Sequence, residues 1–221
     1  IVSGDFYWFV RLSKKLNLTE KYFFAVSDCT GHGVPGAFMS MIGTRMLSEI
    51  INEKLIFDPA QILDTLNKEI VKVLKQDNQE NNDGMDICLC YIEKINDENF
   101  NLTFSGARRN LFIYSKSSQI INIFKGDRKS IGGTFSKTKI KFTNHNITLK
   151  KNDILYLTSD GFADQIGTNR MKFTSTRLLN ILLKNCNLEM EQQKDFLVNE
   201  IKNWQGVEMQ RDDMTILGLK I

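Results

Sequence analysis

The chain has 221 residues, 42% of them hydrophobic, and a formal net charge of +3. This apolar content is sufficient for one sizeable core, and the mixture of both charge signs argues against nucleic acid as the main partner. No stretch of the sequence approaches the roughly 18 apolar residues of a membrane span. Because the sequence has no internal repeat, low-complexity tract or linker, we expect residues 1–221 to be a single domain. Because it begins with Ile1 rather than Met, we expect this domain to be the C-terminal part of a longer signalling protein.

The cysteines are spaced in a way that disfavours both zinc and disulfides. There are four, Cys29, Cys88, Cys90 and Cys186, and no two of them form a C-x-x-C pair. Cys88 and Cys90 would share one face of a strand and could not easily bridge. We therefore expect four reduced thiols and a cytoplasmic setting.

The first two predicted strands form a hairpin. Residues 3–12 and 22–27 are aromatic and β-branched, and a polar segment separates them. If the turn centres near Asn17, the start of the first strand lies beside the end of the second, so Asp5 and Asp28 become neighbours. Two buried like charges repel strongly unless a positive group lies between them.

A glycine-rich turn follows the second strand and leads into two predicted helices. The first, over 34–51, has Pro35 in its first turn and apolar residues at helical spacing, namely Phe38, Ile42, Met46 and Ile50. The second, over 58–75, starts at a capping sequence, Asp58-Pro59, and its apolar face consists of Ile62, Leu66, Ile70 and Leu74. We also expect the aromatic residues Phe6, Trp8, Phe23 and Phe38 to lie in the core.

The remainder of the chain alternates strands and turns before two further helices. Strands are predicted over 86–92, 100–105, 111–114, 120–124, 139–149, 153–158 and 211–219, a turn over 131–134, and amphipathic helices over 173–184 and 189–204. This order predicts an α+β sandwich of antiparallel sheets flanked by helices. If the last strand pairs antiparallel with 153–158, Asp160 meets Asp212.

Aspartates at four strand ends suggest a site for hard divalent cations. Carboxylate and carbonyl oxygens favour Mg²⁺ or Mn²⁺ over softer metals. Two such ions about 3.5–4 Å apart share a bridging water and lower its pKa from about 15.7 toward 7, which would allow it to attack phosphorus. The alternative is that Asp5, Asp153 and Asp213 are ordinary turn and cap residues, a role that Asp favours.

Six motifs resemble, in order, those of the SpoIIE/RsbU-type serine phosphatases. They span 3–8, 28–40, 84–86, 105–109, 159–165 and 212–215, and include Asp-Cys-Thr-Gly-His-Gly-Val-Pro-Gly and Ser-Asp-Gly-Phe-Ala-Asp. This family is the bacterial branch of the metal-dependent (PPM, type 2C-like) protein phosphatases. The resemblance implies an α-β-β-α sandwich with a dinuclear Mn²⁺ or Mg²⁺ centre at one edge. It also implies phosphoserine or phosphothreonine substrates, often small anti-sigma-factor antagonists, and an upstream sensory or regulatory region, which could anchor the protein in a membrane.

The resemblance also implies roles for individual residues. Asp28 matches the bridging metal ligand, and Cys29 matches a ligand that acts through its backbone carbonyl. Asp160 and Asp5 match further ligands, and Asp28 and Asp160 would hold the metal-bridging water. The last ligand matches Asp212, or Asp213 if the register slips by one.

Two positions depart from the family pattern. Eukaryotic relatives have a histidine, proposed as a general acid, where this chain has Thr30. His32 lies two residues further on, and both a contact with the leaving group and a purely structural role in the turn stay open. This chain has Arg108-Arg109-Asn110 where related bacterial sequences more often read Asn-Arg-Pro. One of these arginines would bind the substrate phosphate, or both would form a solvated strand end.

These features predict a Mn²⁺- or Mg²⁺-dependent serine/threonine phosphoprotein phosphatase. A catalytically inactive module of the same fold that binds a signalling partner is the main alternative, and a two-metal hydrolase of small phosphate esters is another. In relatives the helices that follow the first metal turn take part in switching and dimer contacts. By analogy we expect residues 34–75 to form a homodimer contact.

Overall fold

The computed structural model describes residues 3–12, 21–31, 33–77, 81–133 and 141–221. Two antiparallel sheets pack face to face, and helices cover the outer face of each sheet. This arrangement confirms the predicted α-β-β-α sandwich. None of the helices in these ranges combines the length and the hydropathy that crossing a bilayer requires.

The first sheet carries the N-terminal hairpin. Its strands are β1 (Phe6–Leu12), β2 (Lys21–Cys29), β3 (Gly84–Lys94), β4 (Asn99–Ala107), β7 (Ile131–Gly132) and β8 (His145–Lys150). They are ordered β1-β2-β3-β4-β8, and the short β7 pairs with the start of β3. The predicted hairpin pairing of β1 with β2 is confirmed, whereas its predicted turn near Asn17 lies outside the described residues.

The second sheet is built from the later part of the chain. Its strands are β5 (Leu111–Ser115), β6 (Ile120–Phe124), β9 (Ile154–Thr158) and β10 (Ile216–Lys220). The spatial order is β10-β9-β5-β6, so the condition set in the sequence analysis, an antiparallel pairing of the last strand with residues 153–158, is met.

Five α-helices complete the described part of the chain. They are α1 (Gly33–Ser48), α2 (Pro59–Val73), α3 (Gly161–Asp164), α4 (Ser175–Asn185) and α5 (Met190–Gln205), and a π-helical turn, Glu49–Glu53, extends α1. The N-cap prediction for α2 is confirmed, because the Asp58 carboxylate accepts a hydrogen bond from the Gln61 amide at 2.8 Å.

The core consists of three apolar layers, and alternation along β2 shows how the sequence builds them. Phe23 and Ala25 point into the layer beneath α1 and α2. Phe24 and Val26 point into the layer between the two sheets. A third layer joins the second sheet to α4 and α5. Because successive side chains of a strand face opposite ways, a strand buried on both sides reads as a continuous apolar run.

The buried face of α1 differs from the prediction. Phe38 is 61% exposed, so its predicted place in the core is wrong, whereas Trp8 and Phe23 are buried as expected. The residues that α1 buries are Gly36, Met39, Gly43 and Leu47. Glycine lets the helix approach the sheet closely, since a Cβ on Gly43 would lie 2.9 Å from the Met85 methyl carbon.

Several predicted boundaries also change. The strand predicted over 139–149 begins only at His145; residues 139–140 lie outside the described part. The helix predicted from 173 begins at Ser175 because Thr174 caps it. The last strand begins at Ile216 rather than at 211, which leaves residues 211–215 as a loop beside the second sheet.

Candidate active site

Strand register brings the first two predicted aspartates together. Phe6 of β1 pairs with Ser27 of β2, so the next residues outward, Asp5 and Asp28, are adjacent at the same edge of the sheet. Burial is the main cause that raises the pKa of Asp28, and the nearby negative charge of Asp5 adds to the rise.

A third acidic residue, Asp86, belongs to the same edge. It pairs with Asp28 across β2 and β3. One of its carboxylate oxygens accepts a hydrogen bond from the Ser130 hydroxyl at 2.6 Å, which fixes the orientation of the carboxylate. The sequence contained the signal for this position in the motif at 84–86, although no role was assigned to it.

The second sheet contributes Asp160, which lies two residues after the end of β9, at the N-cap position of the short helix α3. The segment before β10 lies beside it, because the Ser159 amide donates to the Thr215 carbonyl at 3.0 Å and the Thr215 amide donates to the Ser159 hydroxyl at 3.0 Å. These two polar side chains were not predicted as site residues, although both stand inside the motifs at 159–165 and 212–215.

The acidic pair near the C-terminus, Asp212 and Asp213, is oriented so that Asp213 faces the N-terminal strand. Its Oδ2 accepts a hydrogen bond from the Gly4 amide at 2.8 Å. Asp212 is exposed, and its Oδ1 accepts from the Asp213 amide at 2.9 Å. Gln165, which is buried, holds the preceding segment by donating to the Met209 carbonyl at 3.1 Å.

The guanidinium group of Arg109 lies at the centre of the acidic edge. Its Nη2 is 2.5 Å from Asp28 Oδ2, 2.8 Å from Asp160 Oδ2 and 3.4 Å from Asp86 Oδ2. The Arg109 side chain is only 12% exposed. Arg109 therefore joins carboxylates that come from both sheets, whereas Arg108 is 57% exposed and lies 3.7 Å from Asp86.

A tight turn after β4 aims Arg109 inward. Arg108 has a positive φ of 54°, and the Arg109 amide donates to the Ala107 carbonyl at 2.7 Å. The Arg109 carbonyl lies so close to Gly106 and Gly126 that a Cβ on either would be 2.3–2.4 Å from it. The backbone of Arg109 is thus fixed, and two glycines are required for its position.

Burial and charge shift the pKa values of the clustered carboxyl groups in different directions. Burial raises the pKa of Asp5 to about 6, although the Ser159 and Thr215 side chains oppose the shift. Burial also raises the pKa of Asp28 to about 8, against the attraction of Arg109. Burial opposes the ionisation of Asp160 as well, but Arg109 outweighs it and the pKa of Asp160 is lowered.

The glycine-rich turn after β2 lies against the N-terminal strand. Gly31 has φ +84°, and its carbonyl lies so close to Gly4 and Gly36 that a Cβ on either would be 2.7 or 2.4 Å away. The Cys29 carbonyl, a predicted ligand, is 3.2 Å from the same Gly4 position. His32 lies outside the described residues, so its proposed role stays a prediction.

The donor set suits divalent cations, although it does not form a ready-made site. Asp5 Oδ2 is buried and has no hydrogen-bond partner among the described residues, and a buried charge of this kind needs a counter-ion. Carboxylate oxygens are the ligands that Mg²⁺ and Mn²⁺ prefer. Within the described ranges, no three His, Cys, Asp or Glu side chains already converge at metal-ligand spacing.

Comparison with known proteins agrees with this fold. A family model described as Stage II sporulation protein E (SpoIIE) matches residues 19–221. The SiaA PP2C domain of Pseudomonas aeruginosa is 28% identical to this chain, with a TM-score of 0.84. The match covers 100% of this chain and 81% of that one. A search of curated protein sequences gave no match.

Two more distant structures share the fold. The RsbU and RsbW domains of a Mycobacterium tuberculosis protein are 17% identical with a TM-score of 0.68, covering 98% of this chain and 55% of that one. The PP2C phosphatase domain and regulatory fragment of SpoIIE from Bacillus subtilis are 21% identical with a TM-score of 0.68, covering 100% and 59%. This chain thus spans little more than half of either.

The two-sheet sandwich with acidic strand ends at one edge defines a PP2C-type phosphatase fold. The chain belongs to the SpoIIE family, which supports a serine/threonine protein phosphatase.

Proposed function

We propose that the chain is a divalent-cation-dependent phosphatase that hydrolyses phosphoserine or phosphothreonine on a bacterial signalling protein, such as an anti-sigma-factor antagonist. The supporting observation is the acidic edge itself. Asp5 and Asp28 reach it from the first sheet, and Asp160 and Asp213 reach it from the second. Carboxylates gathered from both ends of a chain repel one another unless positive charge lies between them, and Arg109 supplies only one such charge.

The residues that would hold two Mn²⁺ or Mg²⁺ ions are Asp5, Asp28, the Cys29 carbonyl, Asp160 and either Asp212 or Asp213. The bound ions would lower the pKa of an attacking water and neutralise the phosphoryl oxygens. Asp28 and Asp160 would orient that water toward phosphorus.

Arg109 is the better of the two candidate arginines for holding the substrate phosphate. It lies inside the acidic edge, whereas Arg108 is mostly exposed. A planar guanidinium can donate two parallel hydrogen bonds to a phosphate. The fixed backbone of Arg109 would keep those donors in reach of the reacting group.

Hydrolysis of para-nitrophenyl phosphate and of a phosphoserine peptide tests this proposal. We expect activity with added Mn²⁺, its loss with chelator, and a fall of about 100-fold or more for Asp28→Ala and for Asp160→Ala. Asp97→Ala, whose side chain is 87% exposed, is the matched control and should retain activity. A folded protein with no activity under either metal would contradict the proposal and favour an inactive binding module. Activity on sugar phosphates or nucleotides but not on the peptide would favour a small-ester hydrolase.

We further propose a homodimer contact within residues 34–75. Val34, Phe38 and Met41 follow helical spacing on α1 and are 61–67% exposed, and exposed apolar stripes of this kind favour association.

The four free cysteines, all buried, support a reducing, cytoplasmic setting for this domain. A regulatory region elsewhere in a longer chain and a phosphoprotein partner complete the proposal, in keeping with the RsbU–RsbW and SpoIIE neighbours.

A further inference from the structure

Arg109 has a position that phosphate binding alone does not explain. Its guanidinium contacts carboxylates rather than solvent, and it contacts the same residues that would hold the cations. Building on the cation site of the proposed function, we propose that Arg109 is the internal counter-ion of the cation-free site. Divalent cations then bind as its guanidinium leaves Asp28 and Asp160.

The first argument is spatial. Nη2 of Arg109 lies within 2.8 Å of both Asp28 Oδ2 and Asp160 Oδ2. A Mg²⁺ ion takes carboxylate oxygens at about 2.0–2.1 Å, so an ion that joined this pair of oxygens would overlap the nitrogen. The guanidinium and a cation at this position exclude each other.

The second argument is electrostatic. Asp28, Asp86 and Asp160 all have an oxygen within 3.4 Å of the same nitrogen. Among the described residues, Arg109 is the only ion-pair partner of Asp28 and of Asp160, whereas Asp86 also has Arg108 at 3.7 Å. Removing Arg109 from this partly buried site leaves Asp28 and Asp160 unpaired, which is strongly unfavourable. Arg109 therefore stabilises the fold when cations are absent, and incoming cations take over that role.

The third argument is that the side chain can move while its backbone stays fixed. The turn against Gly106 and Gly126 fixes the main chain of Arg109. Its Nε is buried and has no hydrogen-bond partner within the described part of the protein. The guanidinium is thus retained by its carboxylate contacts, so the loss of those contacts to cations releases it.

Release of the guanidinium would connect cation binding with substrate binding. A freed guanidinium beside the site is a bidentate donor for a phosphate dianion. While Arg109 remains paired with Asp28 and Asp160, that donor is not available. The phosphate would therefore bind well only after the cations, which makes Arg109 a positioning residue for cation loading as well as a phosphate ligand.

Side-chain nitrogen NMR of the whole chain tests the displacement directly. The Arg109 Nε and Nη signals are assigned by comparison with Arg109→Lys, and Mg²⁺ is added to chelator-treated protein while binding is followed by calorimetry. We expect the Arg109 signals to shift and to lose their hydrogen-bonded character in parallel with Mg²⁺ occupancy. Signals that stay unchanged at saturating Mg²⁺ would overturn the proposal.

Calorimetric titration with Mn²⁺ gives a second readout that does not depend on activity. We expect Arg109→Gln to bind Mn²⁺ about fivefold or more tightly than wild type, because the competing group is removed. Arg109→Lys keeps the positive charge but loses the planar guanidinium. Its Mn²⁺ affinity should lie between that of wild type and that of Arg109→Gln. Arg128→Gln removes one exposed positive charge and should remain within about twofold of wild type. Equal or weaker Mn²⁺ binding by Arg109→Gln than by Arg128→Gln would overturn the proposal.

The two proposals fail in different ways. If Arg109→Gln does not fold without cations, the NMR titration and Arg109→Lys still decide the question. If wild type has no phosphatase activity but Mg²⁺ displaces Arg109, the proposed function is contradicted and the displacement is supported. If wild type is an active phosphatase but Arg109 stays paired at saturating Mg²⁺, the proposed function is supported and the displacement is contradicted.

Discussion

At the scale of single residues, Asp5 shows most clearly that this edge needs positive charge. It is near Asp28, Asp212 and Asp213, and one of its oxygens is buried without a partner among the described residues. Burial raises the pKa of Asp5 to about 6. The ionised form is thus disfavoured in the cation-free fold, which is consistent with the proposed role of Asp5 as a cation ligand.

This shift predicts how stability changes with pH when cations are removed. Because the pKa of Asp5 is raised from 3.8 to about 6 on folding, its favourable contribution is complete below about pH 4 and is lost as pH rises through 6. Asp5→Asn should therefore gain stability relative to wild type between pH 4 and 7. Urea unfolding of both proteins in chelator measures the difference.

The control is Asp195→Asn, an exposed position on α5. Its stability relative to wild type should stay constant over the same range. A constant difference for Asp5→Asn as well would show that Asp5 is not held in an unfavourable charged state.

At the scale of elements, a buried glutamine joins the end of α2 to the glycine-rich turn. Gln76 is only 2% exposed. Its side-chain nitrogen Nε2 donates to the Asp83 carbonyl at 2.5 Å, and its Oε1 accepts from the Gly133 amide at 3.1 Å. Gly84, which follows Asp83, contacts Thr30 twice: its amide donates to the Thr30 hydroxyl at 2.9 Å, and its carbonyl accepts from the Thr30 amide. The position of α2 is thereby coupled to the residue two places after Asp28.

Gln76→Met tests this coupling. The change removes two hydrogen bonds, while the Gly133 amide keeps its bond to the Asp83 carbonyl at 3.1 Å. At about 0.5–1.5 kcal/mol for each lost bond, it should cost about 1–3 kcal/mol of unfolding free energy. It should also weaken Mn²⁺ binding, because the turn that presents Asp28 loses its support. Urea unfolding and calorimetry measure the two effects.

Lys72→Met, at an exposed position of α2, is the matched control and should change neither quantity beyond error. If Gln76→Met loses stability but binds Mn²⁺ as wild type does, the glutamine supports the fold without supporting the turn.

The sequence predicted the elements with local signals well and those with long-range causes less well. The α2 N-cap at Asp58 and the N-terminal hairpin could be predicted, because turn chemistry and alternation are local. The pairing of the last strand with β9 joins distant segments and entered the sequence analysis only as a condition. The buried face of α1 could not, because the residues that approach the sheet include Gly36 and Gly43. Glycine carries no hydrophobic signal, so periodicity placed Phe38 in the core instead.

The same limit applies to the candidate site. The adjacency of Asp5 and Asp28 follows from a hairpin and could be derived on paper. The inward orientation of Arg109 depends on a turn against Gly106 and Gly126, contacts that no local pattern in the sequence indicates. The choice between Asp212 and Asp213 as a ligand likewise depends on loop geometry, and it stays a prediction.

At the scale of the whole molecule, the exposed stripe on α1 bears on assembly. Val34, Phe38 and Met41 lie directly after the glycine-rich turn. A contact through this stripe would place a second copy close to each candidate active site. Association and cation binding would then influence each other.

Phe38→Glu should abolish self-association, because it puts a charge in the centre of the apolar stripe. Light scattering coupled to size-exclusion chromatography measures the mass of the wild type and the variant. Phe196→Glu, at a 38% exposed phenylalanine on α5, is the control and should leave the mass unchanged. A monomeric wild type at high concentration would contradict the proposed homodimer.

The central claim is that strand ends from both sheets form one cation site. Anomalous diffraction from crystals soaked in Mn²⁺ tests it most directly. The account predicts anomalous peaks within about 2.0–2.5 Å of carboxylate oxygens of Asp28 and Asp160, with Asp5 adjacent and the Arg109 guanidinium moved away. Saturating Mn²⁺ with no peak between these carboxylates, or peaks scattered over unrelated surfaces, would contradict it.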